Sequence, residues 1–270
     1  MPQDILVAFV PSWANAALLL KEMKHFMSTP ILTVDAITKR YRNGRGAYDI
    51  SFELKKGDVF GLLGANGAGK TTVMKMLTGL CRPTSGSISM MGHDAEDHPE
   101  KARHRVASLI EAPAFYPYLS AKKNLELAAA YYPEEHIDGK KIDAVLEQVD
   151  LLPYKNEKAS GFSLGMKQRL GLALTIISNP SLYILDEPSN GLDIEGRVDI
   201  RNIIIRLAQK GNTTFIISSH LSEEIQKMCN LVGIMKDGTL ISIEHMDVIL
   251  SSFPTLESYY LKQIGKTEEK

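Results

Sequence analysis

Cysteine is scarce. The chain has two in 270 residues, Cys81 and Cys229. They form no CxxC pair and have no histidine at metal-ligand spacing, so nothing supports a disulfide framework or a thiolate metal site. Two free thiols in a reducing compartment are expected. A long apolar run is also missing. The most apolar stretch, ILVAFVPSWANAALLL (Ile5–Leu20), spans 16 residues and is broken by Pro11, Ser12 and Asn15. A membrane-spanning helix takes roughly 20 apolar residues, and the basic region of a secretory signal does not precede this stretch. If the protein works at a membrane, another chain supplies the span. Charge of one sign is absent too: 31 Lys and Arg face 32 Asp and Glu, for a net charge of −1. No global basic field points to nucleic acid or to an anionic membrane. There is no internal repeat and no low-complexity tract.

What remains is ordinary for a globular protein, 44% hydrophobic and 23% charged. Residues 1–27 look unlike the rest of the chain. Met27 is a second start that opens MSTPILTVDAITKRY, so the N-terminal stretch is expected to be an extension from an early start codon. The competing reading is an amphipathic helix on a membrane or partner. Residues 28–265 are expected to form one domain and residues 266–270 a polar tail.

ILTVDAI, AYDISFEL and DVFGLLG read as strands, separated by the turns NGRG and KKGD. GSISMMG reads as another. Helices are expected at Thr71–Leu80, ending at Gly79, at Ala121–Tyr132 and Lys140–Val149, and in SLGMKQRLGLALTIIS. LYILDEP and TFIISSH are apolar runs ending in polar or charged residues. Continuous apolar strands alternating with helices imply a buried parallel sheet. LVGIMKDGTLISIE reads as a hairpin turning at Asp237–Gly238.

GANGAGKT gives Gly64-x-x-x-x-Gly69-Lys70-Thr71, after an apolar strand and at the start of a helix. That context marks a phosphate-binding loop. Glycines let backbone N–H groups curl around phosphate oxygens, and the helix N-terminus adds its positive end. Lys70 is expected to reach the β- and γ-phosphates, and Thr71 to ligate Mg²⁺. Asp186 and Glu187 end the strand LYILDEP. Asp186 suits a Mg²⁺ role beside Thr71, and Glu187 that of a general base on the attacking water. His220 ends FIISSH and is expected to face the same crevice, where it can sense the γ-phosphate. The other histidines read as surface residues, with a metal role for His93, His98 and His104 the weaker alternative. Ser163 and Gly165 in FSLGMKQR open a helix, again an anion-binding geometry.

The order phosphate loop, FSLGM, LYILDEP, NGLD, SSH resembles the ATP-binding cassette ATPases. Gly165 to Asp186 is 21 positions and Asp186 to His220 is 34, and the resemblance spans about Ile31 to Gly265. It implies an α/β P-loop NTPase (RecA-like) core, an N-terminal antiparallel β-subdomain and a helical subdomain at about 112–163 inserted in the core. It implies ATP and Mg²⁺ as cofactors. ATP would be held by Gly64, Asn66, Gly67, Ala68, Gly69, Lys70, Thr71 and Thr72, with Tyr41 stacked on adenine and Tyr48 the weaker alternative. Thr71, Glu111 and Asp186 would serve the metal, and Glu187 and His220 the chemistry. Cassettes of this kind pair head to tail, so Ser163, Leu164, Gly165 and Met166 would act on ATP bound by a second cassette subunit. Asn190, Gly191, Leu192 and Asp193 would cross that interface. The chain departs from the common pattern at Leu164 (often glycine), Met166 (often glutamine) and Ile194 (often proline). The implied partner is a multi-span permease on separate chains, with no nucleic acid. The implied location is the cytoplasmic face of the cell membrane, as a peripheral protein.

Glu111 lies 41 positions after Lys70, where the family usually has glutamine. Glutamate strengthens attraction for a metal but repels phosphate. SLIEAPAFYPYLSAKKNL resembles the corresponding loop of lantibiotic- and bacitracin-resistance ATPases. The expected function is therefore to power export of, or immunity to, peptide antibiotics. Two alternatives stay open at this point: a non-transport cassette ATPase of the iron–sulfur assembly type, and the ATPase of an importer.

Overall fold

The computed structural model describes residues 30–210 and 213–266. The expectations for residues 1–27 and for most of the tail lie outside the described residues.

Two sheets are built from different patterns. β1 (Leu32–Arg40), β2 (Gly46–Leu54), β4 (Ser85–Met90) and β5 (His93–Asp94) form an antiparallel sheet in the order β2-β1-β4-β5. The last five residues of β2 alternate buried and exposed, the period of a half-buried strand. The second sheet has six strands. β3 (Val59–Leu63), β6 (Val106–Leu109), β7 (Leu182–Asp186), β8 (Thr214–Ser219) and β9 (Leu231–Lys236) run parallel, and β10 (Thr239–His245) returns antiparallel at one edge. The order is β10-β9-β3-β8-β7-β6. Every residue of β3, β7 and β8 is buried, as a parallel sheet covered on both faces requires.

Because side chains alternate across a strand, β3 feeds two cores. Phe60 and Leu62 join Ile184, Ile216 and the inner face of the antiparallel sheet. Val59 and Leu63 join Phe215, Leu185 and the helices on the other side. Tyr183 and Phe215 stack there at 4.6 Å between centroids.

The helices are α1 (Lys70–Thr78), α2 (Pro99–Arg103), α3 (Ala121–Ala129), α4 (Gly139–Gln148), α5 (Leu164–Ile176), α6 (Ile194–Gln209), α7 (Ser222–Met228), α8 (Met246–Ser252) and α9 (Leu256–Gln263). Leu125, Ile142, Val145, Leu146 and Leu170 bring α3, α4 and α5 into one apolar cluster. α1 ends where its sequence suggests, and α3 falls short of it. α1 stops at Thr78 because Gly79 turns left-handed at φ 77°. α3 stops at Ala129 rather than Tyr132, because Pro133 disfavours helical backbone at the residue before it and Tyr132 takes φ −127°. No described helix is long and apolar enough to cross a membrane. Cys81 and Cys229 are free thiols, and burial pushes the Cys229 thiol pKa up.

Candidate active site

The site forms where β3, β7 and β8 end. These parallel neighbours deliver their C-terminal residues to one side of the sheet. After β3 the chain turns through Gly64–Gly69 into α1. Gly69 caps α1 with φ 101°, and a Cβ there would stand 2.8 Å from the Gly46 carbonyl oxygen. Only glycine allows both the turn and the close approach. Gly67 also has positive φ. A backbone bridge pins the loop from behind: Gly238 N–H donates to Ala68 O at 3.1 Å, and Tyr48 N–H donates to Gly238 O at 2.7 Å. The Ala68 amide is committed to Ala65 O within the turn.

Lys70 is 5% exposed. Its Nζ donates to the carbonyls of Gly64 (2.7 Å) and Ala65 (3.3 Å) and pairs with Glu187 Oε1 at 3.2 Å. The ammonium is buried with acceptors on several sides, as a desolvated charge requires. Asp186 ends β7 opposite Ser218 of β8, and its Oδ1 accepts the Ser218 hydroxyl at 2.6 Å. The same hydroxyl oxygen accepts the Glu187 N–H at 2.9 Å. Glu187 takes φ 49°, a left-handed turn just past the strand. His220 Nδ1 is 2.8 Å from the other carboxylate oxygen, Oε2. Glu187 is thus clamped between a buried cation and an imidazole.

These residues border an open crevice of about 700 Å³, lined among others by Tyr41, Asn66, Thr71, Thr72, Glu111 and Asn190. Gly67, Gly69, Lys70, Asp186 and Glu187 also line it, together with Asn43 and Arg45. Tyr41 is partly exposed, and burial raises its phenol pKa. Glu111 takes φ 62°, and its Oε1 accepts from Lys75 Nζ at 2.6 Å. That hydrogen bond is the main reason the Lys75 pKa is raised. Gly64, Ala68 and His220 do not line the crevice, although each touches a residue of its wall or floor.

Residues 47–190 match the family described as ABC transporter. The chain belongs to that family. It is an ATP-binding, ATP-hydrolysing subunit. A bacitracin transport ATP-binding protein of Bacillus licheniformis is 42% identical over 80% of this chain and 69% of that protein. A lantibiotic transport ATP-binding protein of Streptococcus pyogenes is 36% identical over 80% of this chain and 92% of its own length. Among solved structures, an ATP-binding subunit of an ABC transporter superposes with TM-score 0.75 at 27% identity, covering 87% of this chain and 99% of that one.

In this ABC ATPase the FSLGM stretch stands apart from the crevice. Ser163 caps α5 by accepting the Met166 N–H at 3.2 Å. Leu164 is exposed, and a Cβ on Gly165 would meet open space. None of Ser163, Leu164, Gly165 and Met166 lines the crevice. The NGLD turn lies beside this helix end: Gly191 has φ 76°, and a Cβ there would be 3.5 Å from Leu164. Leu192 packs toward the core, and Asp193 caps α6 through the Gly196 N–H at 2.8 Å.

Two participants were not singled out from the sequence, and a third, Gly238, was read only as a hairpin turn. Ser218, the first serine of SSH, ties Asp186 to Glu187. Gly238 braces the phosphate loop. Lys75 holds Glu111; its position four residues after Thr71, on the same helix face, was the available signal.

Proposed function

We propose that the crevice binds ATP with Mg²⁺ and hydrolyses it, that a second cassette subunit completes each site, and that the pair drives a separate multi-span permease exporting peptide antibiotics or giving immunity to them. The observation that carries this reading is that Lys70, Asp186 and Glu187 line one crevice, with His220 bonded to Glu187, while Ser163–Met166 lies outside it with Ser163 and Leu164 exposed. A crevice with a base and a phosphate loop but with its second anion-binding helix end elsewhere is half of a site.

In this reading the amides of the loop and Lys70 hold the phosphates, with Thr72 beside them, and Tyr41 meets adenine. Lys70 exchanges its carbonyl and Glu187 partners for phosphate oxygens. Glu187, released, takes a proton from the attacking water, and His220 orients its carboxylate. Most of the catalysis is positioning and charge stabilisation. The donor set fits Mg²⁺. No cluster of three or more His, Cys, Asp or Glu able to hold a metal exists among the described residues. Mg²⁺ commonly uses one or two carboxylates and takes its remaining ligands from phosphates and water. The Thr71 hydroxyl and the Asp186 carboxylate would hold the ion, with Glu111 at the margin. When bound it neutralises charge on the phosphates.

The antibiotic assignment is supported by the bacitracin and lantibiotic transport relatives and by glutamate at position 111. The permease would keep the chain at the cytoplasmic face of the cell membrane. The test is gentle solubilisation of membranes from the native cell carrying a tagged chain. A multi-span membrane protein in stoichiometric yield is expected, together with peptide-antibiotic hypersensitivity when the chain is deleted. A pool with only cytosolic partners would overturn the transporter reading.

A further inference from the structure

A carboxylate at the mouth of a phosphate-binding crevice carries an electrostatic cost. Glu111 lines the crevice with Lys70, Thr71 and Asp186. It would oppose a triphosphate arriving ahead of its metal. Its left-handed backbone, φ 62°, is a conformation that non-glycine residues adopt at a cost. Its side chain meets Lys75, one helical turn beyond Thr71, at 2.6 Å. Lys75 does not line the crevice. The pair is on the surface, with side chains 31% and 64% exposed, and such pairs add little to stability. Folding therefore gives no strong reason for it.

We propose that Lys75 is a positioning residue that acts through Glu111: it holds and neutralises the carboxylate so that nucleotide can enter the crevice before a metal does. This rests on the reading of the crevice as the nucleotide site. Without Lys75, the uncompensated charge of Glu111 would face the phosphates across the crevice it lines. The effect is specific in a way a direct Lys75–phosphate contact is not, because it exists only while residue 111 is charged.

The test is a double-mutant cycle read by binding of a fluorescent trinitrophenyl-ATP in EDTA at low salt, with Lys70→Ala as the control. Lys75→Met is expected to weaken binding about 5-fold, an effect that shrinks with added salt. Glu111→Gln is expected to bind as well as wild type or better. Lys75→Met combined with Glu111→Gln should bind within about 2-fold of Glu111→Gln alone, and Lys75→Arg should keep wild-type affinity. The same loss from Lys75→Met in both backgrounds, or no loss in either, would overturn the proposal. Wild-type protein that binds no nucleotide, or Lys70→Ala that binds normally, would overturn the reading of the crevice instead, and this inference with it.

Discussion

Lys70 and Glu187 are joined by a 3.2 Å ion pair in which the lysine is nearly fully buried. The pair links the two motifs that chemistry needs together, the phosphate loop and the strand-end base. In the proposed mechanism the same contacts hold Glu187 on both oxygens, by Lys70 and by His220, until nucleotide arrives. Glu187→Gln keeps the shape and hydrogen-bonding reach but removes the base. ATP binding should persist while turnover falls at least ~100-fold, within the range for losing a general base. Phosphate release measured beside nucleotide binding checks this, and near-normal turnover would remove Glu187 from the mechanism.

Glu111→Gln should behave differently. Glu111 is exposed, and among the described residues its side chain pairs with Lys75. With saturating ATP and Mg²⁺, the variant should retain roughly a third or more of wild-type kcat, since an exposed pair contributes weakly. A variant that binds ATP normally but hydrolyses none would contradict the role given to this loop.

Gly165 separates assembly from folding. A side chain there meets open space within the chain. Gly165→Asp should melt at the wild-type temperature and bind nucleotide. Hydrolysis should drop at least ~10-fold if, as proposed, this helix end faces a partner's phosphate, because a carboxylate there would repel it. Full hydrolysis by this variant would argue that the chain works alone.

Gly69 does the reverse. Its φ of 101° and the 2.8 Å approach to Gly46 O leave no room for a Cβ. Gly69→Ala should destabilise the fold by about 1–3 kcal/mol, the usual scale of enforced backbone strain. Thermal melting reads this directly, and an unchanged melting temperature would mean that the loop relaxes freely.

Much of the site was legible because its residues sit at strand ends, and buried strands announce themselves as short apolar runs. LYILDEP and TFIISSH became β7 and β8; Asp186 at the end of β7 lines the crevice, while His220, one residue past β8, reaches it through Glu187. The hairpin at Asp237–Gly238 was equally plain. Other elements were not. β6 is four residues at a sheet edge inside RVASLI, too short to show a period. α6 did carry a signal, Ile200, Ile203, Ile204 and Leu207 at helical spacing behind an Asp193 cap. Ser218 and Lys75 escaped notice because their roles come from register and helix phase, which only the folded chain brings together.

Central to this mechanism is that two copies of this cassette, or this chain and a second cassette subunit, close on ATP. The direct measurement is the molar mass of purified Glu187→Gln protein with and without ATP, by light scattering, with Lys70→Ala in the same background as control. Slow hydrolysis should trap the closed state: twice the monomer mass with ATP, monomer without it, and monomer throughout when Lys70 is lost. A monomer that binds ATP with full affinity, and whose wild-type counterpart hydrolyses at a rate independent of protein concentration, would contradict a shared site.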